Sequence, residues 1–211
     1  MIFKDRTDAG IQLANSLKKY KDKDCIVFAL PRGGIVLAAE IAKRLMLPMD
    51  LIIAKKIGHP MNEEYAVCAI AEDGEPVCNQ SEIIAADPDW LASATEQARA
   101  EIKRRRLIYT GDMQRCDVKN KTAIIVDDGI ATGLTMYAAI AQIKNLNPSR
   151  IVVAIPVAPY SAAQKLKAIA DELVILVCDT CYRGSVGAYY VSFPQLDDRE
   201  VISILNSVKN K

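Results

Sequence analysis

Residues 122–147 read TAIIVDDGIATGLTMYAAIAQIKNLN, and this stretch decides the fold. A short apolar run, Ala123 to Val126, ends in two acids, Asp127 and Asp128. A loop with two glycines follows, Gly129-Ile130-Ala131-Thr132-Gly133. Met136, Ala139, Ile140, Ile143 and Leu146 then fall on one helical stripe, which Asn147-Pro148 stops. The pattern predicts a buried strand, a tight turn and a helix. In open α/β sheets ligands bind at that junction, outside the carboxyl end of the strand.

The chemistry of the turn follows from its residues. Gly129 and Gly133 permit positive φ and a close approach of backbone to a ligand. The free N–H groups and dipole at the helix start favour an anion. Thr132 and Thr135 add hydroxyl donors, so the loop suits a phosphate. Asp127 and Asp128, as ionised acceptors, cannot serve that anion. They suit a sugar diol or a hydrated Mg²⁺. The plainer alternative is a βα turn whose acids cap a helix.

Two common phosphate loops do not match. A Walker loop needs Lys before Ser/Thr, and Gly133 is followed by Leu134. The dinucleotide fingerprint needs three glycines, and only Gly129 and Gly133 are present. VDDGIATGLT, residues 126–135, instead resembles the loop of the type I phosphoribosyltransferases that binds 5-phosphoribosyl 1-pyrophosphate (PRPP). The resemblance implies that Asp127 and Asp128 meet the ribose hydroxyls and, through them or water, Mg²⁺. It implies that residues 129–133 and Thr135 wrap the 5′-phosphate.

A second βα turn, Pro31-Arg32-Gly33-Gly34, follows the apolar run 25–30, and helix 35–45 follows it in turn. It resembles the family's pyrophosphate loop, where Arg32 fits phosphate oxygens. Standing alone it would read as a strand–turn–helix with a solvated arginine. Lys55 and Lys56 close the next predicted strand, 50–57, at the same edge, where one of the two faces the site. The tail 179–196 is aromatic and glycine-rich and resembles the family's hood over the acceptor base. Val186, Gly187, Tyr189 and Tyr190 are its candidate residues, with Tyr182 and Phe193 also able to stack on a flat ring. The alternative for these rings is a packed core.

The remaining pattern fills out a fold. Helix 7–20 opens the chain, and strand 150–155, helix 159–170 and strand 173–178 follow the organising helix. These alternations predict a doubly wound, mainly parallel α/β sheet with right-handed crossovers. A final helix spans 197–207. Residues 58–121 read as a flap insertion, with a hairpin turn at Asp73-Gly74, a tip at 59–65 and a long helix 88–109. That helix carries Lys103-Arg104-Arg105-Arg106, read as a solvated basic face, or as the source of one arginine for pyrophosphate.

The 211 residues are expected to form one domain, 1–211. A net charge of +1 gives no bulk electrostatic case for nucleic acid or membrane binding. No apolar run approaches a membrane span, and MIFKDRTDAG has no signal-peptide core, so a cytoplasmic chain is expected, with a homo-oligomer left open. Six cysteines read as reduced thiols, including the Cys178-Asp-Thr-Cys181 pair, which lacks the further ligands zinc needs.

Taken together, the resemblance implies Mg²⁺-dependent transfer of ribose 5-phosphate from PRPP to a nitrogenous acceptor. In the hypoxanthine/guanine branch an Asp stands directly before the Thr-Gly of the loop. Ala131 replaces it here, which disfavours 6-oxopurines. Any acid/base group must come from elsewhere, with Glu63 or Glu64 as candidates. A PRPP-sensing regulator is the alternative function, weakened by the net charge and by the lack of a helix-turn-helix signal. A flavodoxin-like or receiver-like domain is disfavoured by Thr132-Gly133-x-Thr135 and by the arginine of the PRGG loop.

Overall fold

The computed structural model describes residues 2–83, 87–111 and 113–209; of Glu63, Glu64, Gln80 and Lys209 it describes the backbone alone. Five strands form the central sheet: β1 (Cys25–Ala29), β2 (Met49–Leu51) and, further on, β6 (Thr122–Val126), β7 (Arg150–Pro159) and β8 (Glu172–Asp179). Their order is β2-β1-β6-β7-β8, and every neighbouring pair is parallel. This is the doubly wound α/β arrangement expected from the alternating pattern. The chain reverses direction across the sheet between β1 and β6, and at such a switch point the loops leaving adjacent strands diverge to form a crevice.

The helices after those two strands lie on opposite faces. α1 (Arg6–Ser16) and α2 (Gly34–Leu45) share one core with Val27, Ala29, Ile124 and Val126. α5 (Leu134–Asn145) and α6 (Tyr160–Lys167) share another with Ile26, Phe28, Ala123 and Ile125. Alternate residues of one strand therefore feed two cores, which explains the unbroken apolar runs. α7 (Asp198–Lys209) packs on α2 and α4 (Pro88–Thr110). Among the described residues no helix is long and apolar enough to cross a membrane.

The insertion differs from expectation in one respect. The apolar run 50–57 is divided: β2 stays in the central sheet, while β3 (Ala54–His59) joins a separate antiparallel sheet with β4 (Asn62–Ala71) and β5 (Val77–Cys78). Lys55 and Lys56 are thus on the small sheet, not at the edge of the large one. Residues 59–65, expected as an irregular tip, are strand ends around a turn at Pro60-Met61, with His59 opposite Asn62. The hairpin at Asp73-Gly74 is present between β4 and β5, after which the short α3 (Gln80–Ile83) leads on. Its register sets Cys68 opposite Cys78, and the two form a disulfide. This corrects the expectation of six reduced thiols; Cys25, Cys178 and Cys181 remain thiols.

A buried ionic cluster fastens the small sheet to the large one. Arg106 of α4 pairs with Asp50 at 3.0 Å and Glu72 at 3.6 Å, and donates to the Leu51 carbonyl at 3.0 Å. Arg115 reaches Glu72 at 2.8 Å. Arg104 and Arg105 both pair with Glu101 on their own helix. The arginine-rich turn thus divides between surface pairs and a structural anchor. Burial raises the Glu72 carboxyl above its ordinary value, and the two arginines oppose that rise. Removing one partner of a buried pair strands the others without compensation. Arg106→Met should therefore cost about 3–5 kcal/mol in urea-unfolding measurements, whereas Arg104→Met should cost under about 1 kcal/mol.

Candidate functional site

The two glycine loops leave adjacent strands, and their main chains touch. Gly34 has no room for a side chain: a Cβ there would sit 2.6 Å from the Val126 carbonyl oxygen and 3.0 Å from the Asp127 Cα. At Gly33 a Cβ would fall inside the Asp128 carboxylate. The Pro31–Arg32 peptide between strand and glycines is cis. Gly129 has φ +148°, and a Cβ would meet Val186 Cγ1 at 2.5 Å and Val157 Cγ1 at 2.8 Å. So the acids, the arginine-bearing loop and the hood residue Val186 meet at one point.

The helix starts are prepared for a ligand. α1 and α4 begin under side-chain caps, Asp5 and Asp87. α2 and α5 begin at Gly33 and Gly133 with no side-chain cap. At α2 the Gly34 and Ile35 amides already donate to the Leu30 and Arg32 carbonyls, at 3.0 and 3.3 Å, so what that start offers an anion is its dipole and Arg32. Ala131 and Thr132 are exposed, Thr135 is half-buried in the first turn, and Ile130 is buried with its amide on the Val157 carbonyl at 2.9 Å. Tyr137 closes the loop from behind: a Cβ on Gly133 would lie 2.9 Å from its ring.

The acidic pair is asymmetric. The Asp128 amide donates to Asp127 Oδ1 at 2.8 Å. Asp128 Oδ2 accepts from Arg6 Nε at 2.8 Å, a contact between side chains 10% and 15% exposed. Burial pushes the Asp127 carboxyl well above the usual range, and the Asp128 charge pushes it further, against the pull of Lys56. Burial also raises Asp128, but the Arg6 guanidinium opposes it. Arg6 went unnoticed in the sequence because its partner is 122 positions away.

The other expected residues fall in two groups. Arg32 is exposed, and its charge acts on Tyr109. Lys55 and Lys56 line a cleft of about 480 Å³ with His59, Trp90 and Gln97. In the hood, Val186 abuts Gly129, and Gly187 lies against Phe193. Tyr189 and Tyr190 are core rather than open stacking faces, at 1% and 7% exposure. Tyr189 donates to Asp179 at 2.6 Å, and Tyr190 donates to the Asp128 carbonyl at 2.6 Å. The side chains of Glu63 and Glu64 lie outside what the structure describes. A second cleft, about 560 Å³, runs from Ala131 and Thr132 to Tyr65, Asn79 and Lys165.

Several known proteins are similar to this chain. The family described as the phosphoribosyl transferase domain matches residues 5–188. A Mycobacterium tuberculosis protein provisionally named a phosphoribosyl transferase is 36% identical over 207 residues, covering 97% of this chain and 46% of that relative. The chain thus spans about half the length of that relative. The crystal structure of TT1426 from Thermus thermophilus superposes with a TM-score of 0.83 at 37% identity, covering 98% of this chain and 99% of that one. The AQ2163 protein from Aquifex aeolicus, at 11% identity and TM-score 0.52 over 82% and 74% of the two chains, shares the fold.

The asymmetry separates the two acids experimentally. Asp127 has a raised folded pKa, so its contribution to stability is complete below the unfolded value of about 3.9 and is lost as pH rises through the folded value. Asp127→Asn, neutral throughout, should melt a few degrees higher than the parent at pH 7, and the gain should shrink towards about pH 4. Asp128→Asn should melt lower, reflecting a stability loss of about 3 kcal/mol, because it strands the Arg6 charge. Melting curves of both variants from pH 4 to 8 check this.

Proposed function

The chain belongs to the phosphoribosyl transferase domain family, and on that premise we propose that it transfers ribose 5-phosphate from PRPP to a ring nitrogen of a small acceptor, releasing pyrophosphate. The carrying observation is the contact of the two loops, Gly33 and Gly34 against Asp128 and Asp127. A ligand with a phosphate at one end, a diol in the middle and a pyrophosphate at the other spans both uncapped helix starts across that contact. Residues 129–133 and Thr135 take the 5′-phosphate, the acidic pair takes the diol, and Arg32, Gly33 and Gly34 take the pyrophosphate with Lys55 and Lys56.

Mg²⁺ fits this donor set. Among the described residues no cluster of three or more His, Cys, Asp or Glu could cage a metal. Two carboxylates beside ligand phosphates and hydroxyls are the sharing arrangement that Mg²⁺ favours. When bound it would neutralise charge on the pyrophosphate. The chain's own work is positioning. The carboxylates stand beside the carbon that develops oxocarbenium character, the α5 start fixes one phosphate end, and Arg32 with Lys55 and Lys56 fixes the other. At Ala131 the loop offers an exposed methyl group and no carboxylate to an acceptor ring, which favours acceptors other than 6-oxopurines.

PRPP with Mg²⁺ should raise the melting temperature more than ribose 5-phosphate does, because only PRPP fills both loops. Equal shifts would sink the two-loop reading. In turnover assays across a nucleobase panel, guanine and hypoxanthine should be poor acceptors beside adenine and uracil. Asp127→Asn should lower turnover with the best acceptor by on the order of 10²-fold.

A further inference from the structure

The acids of the loop do not stand alone. Arg6, 8% exposed, sits in the first turn of α1 and reaches into the site from the far end of the sequence. Its Nε donates to Asp128 Oδ2 at 2.8 Å, and its Nη1 donates to the Pro194 carbonyl at 2.6 Å. Its guanidinium carbon lies 3.7 Å from the centre of the Phe193 ring. Phe193 in turn packs on Tyr190, with ring centroids 4.7 Å apart, and Tyr190 bonds the Asp128 carbonyl. One planar cation therefore joins the second acid to the hood through three separate contacts.

The same oxygen is engaged on its other side. Asp128 Oδ2 is the atom that fills the space where a Gly33 side chain would go. It is thus wedged between a guanidinium and the arginine-bearing loop. Asp127 is held differently, by the backbone amide of its neighbour Asp128 and not by a guanidinium. We propose that Arg6 is a positioning residue that divides the acidic pair, holding Asp128 as a fixed brace between hood and loops and leaving Asp127 as the carboxylate that meets the ligand diol. This rests on the phosphoribosyl reading and refines it.

A brace of this kind acts on the sugar and not on the phosphate. On that reading the 5′-phosphate lies at the 129–133 loop and the α5 start, whereas Arg6 contacts Asp128, Pro194 and Phe193. If the brace is released, the Asp128 carboxylate loses its counter-charge next to Asp127. The repulsion then falls on the carboxylate that receives the diol. A merely structural Arg6 would weaken all ligands alike, in proportion to lost stability.

Calorimetric titration with ribose 5-phosphate, beside inorganic phosphate as the probe for the loop alone, tests the division. Asp127→Asn should lower ribose 5-phosphate affinity at least tenfold and leave inorganic phosphate unchanged. Arg6→Met should lower ribose 5-phosphate affinity about tenfold with the same unchanged control. Arg6→Lys keeps the charge but cannot reach both Asp128 and Pro194, so it should fall between the parent and Arg6→Met; it also keeps the test open if Arg6→Met does not fold. In an Asp128→Asn background Arg6→Met should add less than twofold, because the contact is already gone. The proposal is overturned if Arg6→Met and Arg6→Lys leave ribose 5-phosphate binding intact, if phosphate falls in step with it, or if Asp128→Asn equals Asp127→Asn with Arg6→Met additive. If the parent binds phosphate but neither ribose 5-phosphate nor PRPP, the phosphoribosyl reading falls, and this proposal with it.

Discussion

The site depends on a contact that leaves no volume for a methyl group. Where β1 and β6 end side by side, Gly33 lies against the carboxylate of Asp128 and Gly34 lies against the main chain of residues 126 and 127. Two helices then start from nearly one point and run to opposite faces of the sheet. Dipoles that would repel if brought end to end instead converge on one crevice, an arrangement suited to anionic groups. The fold supplies the convergence through strand order, and glycine supplies the closeness.

Electrostatics sharpen that arrangement. Two buried carboxylates side by side are unfavourable unless something distinguishes them. Arg6 does so by pairing with one, while Lys56 influences the other from across the crevice. The segment 179–196 is tied to the same point by Tyr190 and Pro194, so it and the acids are parts of one hydrogen-bonded unit.

The parts that were legible in the sequence are those set by local periodicity. The strand–loop–helix at 122–147 and the PRGG turn each carry their meaning within one continuous stretch, and the structure places both at the switch point. What depended on distant partners was not legible. Ile52 and Ile53 continue an apolar run without interruption, so nothing local marks where the chain changes sheets. Cys68 faces Cys78 only because of the hairpin's register, and Arg106 is an anchor only because Asp50 and Glu72 converge on it. Tyr189 and Tyr190 look alike as a stacking surface and as a core, and burial decides for the core. Arg6 is one cation among 27 until the fold brings it to Asp128.

The lacing of the first residues to the last has a bearing on the order of assembly. Phe3 exchanges main-chain bonds with Tyr189 and Val191, and Arg6 closes a loop of 188 positions at Pro194. Contacts of such long separation carry the greatest loop-closure cost and tend to form late. The β1–β2 and β6–β7–β8 ladders need none of them. During synthesis the sheet can therefore be complete while Asp128 still waits for its partner. A chain interrupted before residue 194 would lack the Pro194 carbonyl that anchors Arg6, so the charge pattern at Asp128 depends on the last part of the chain.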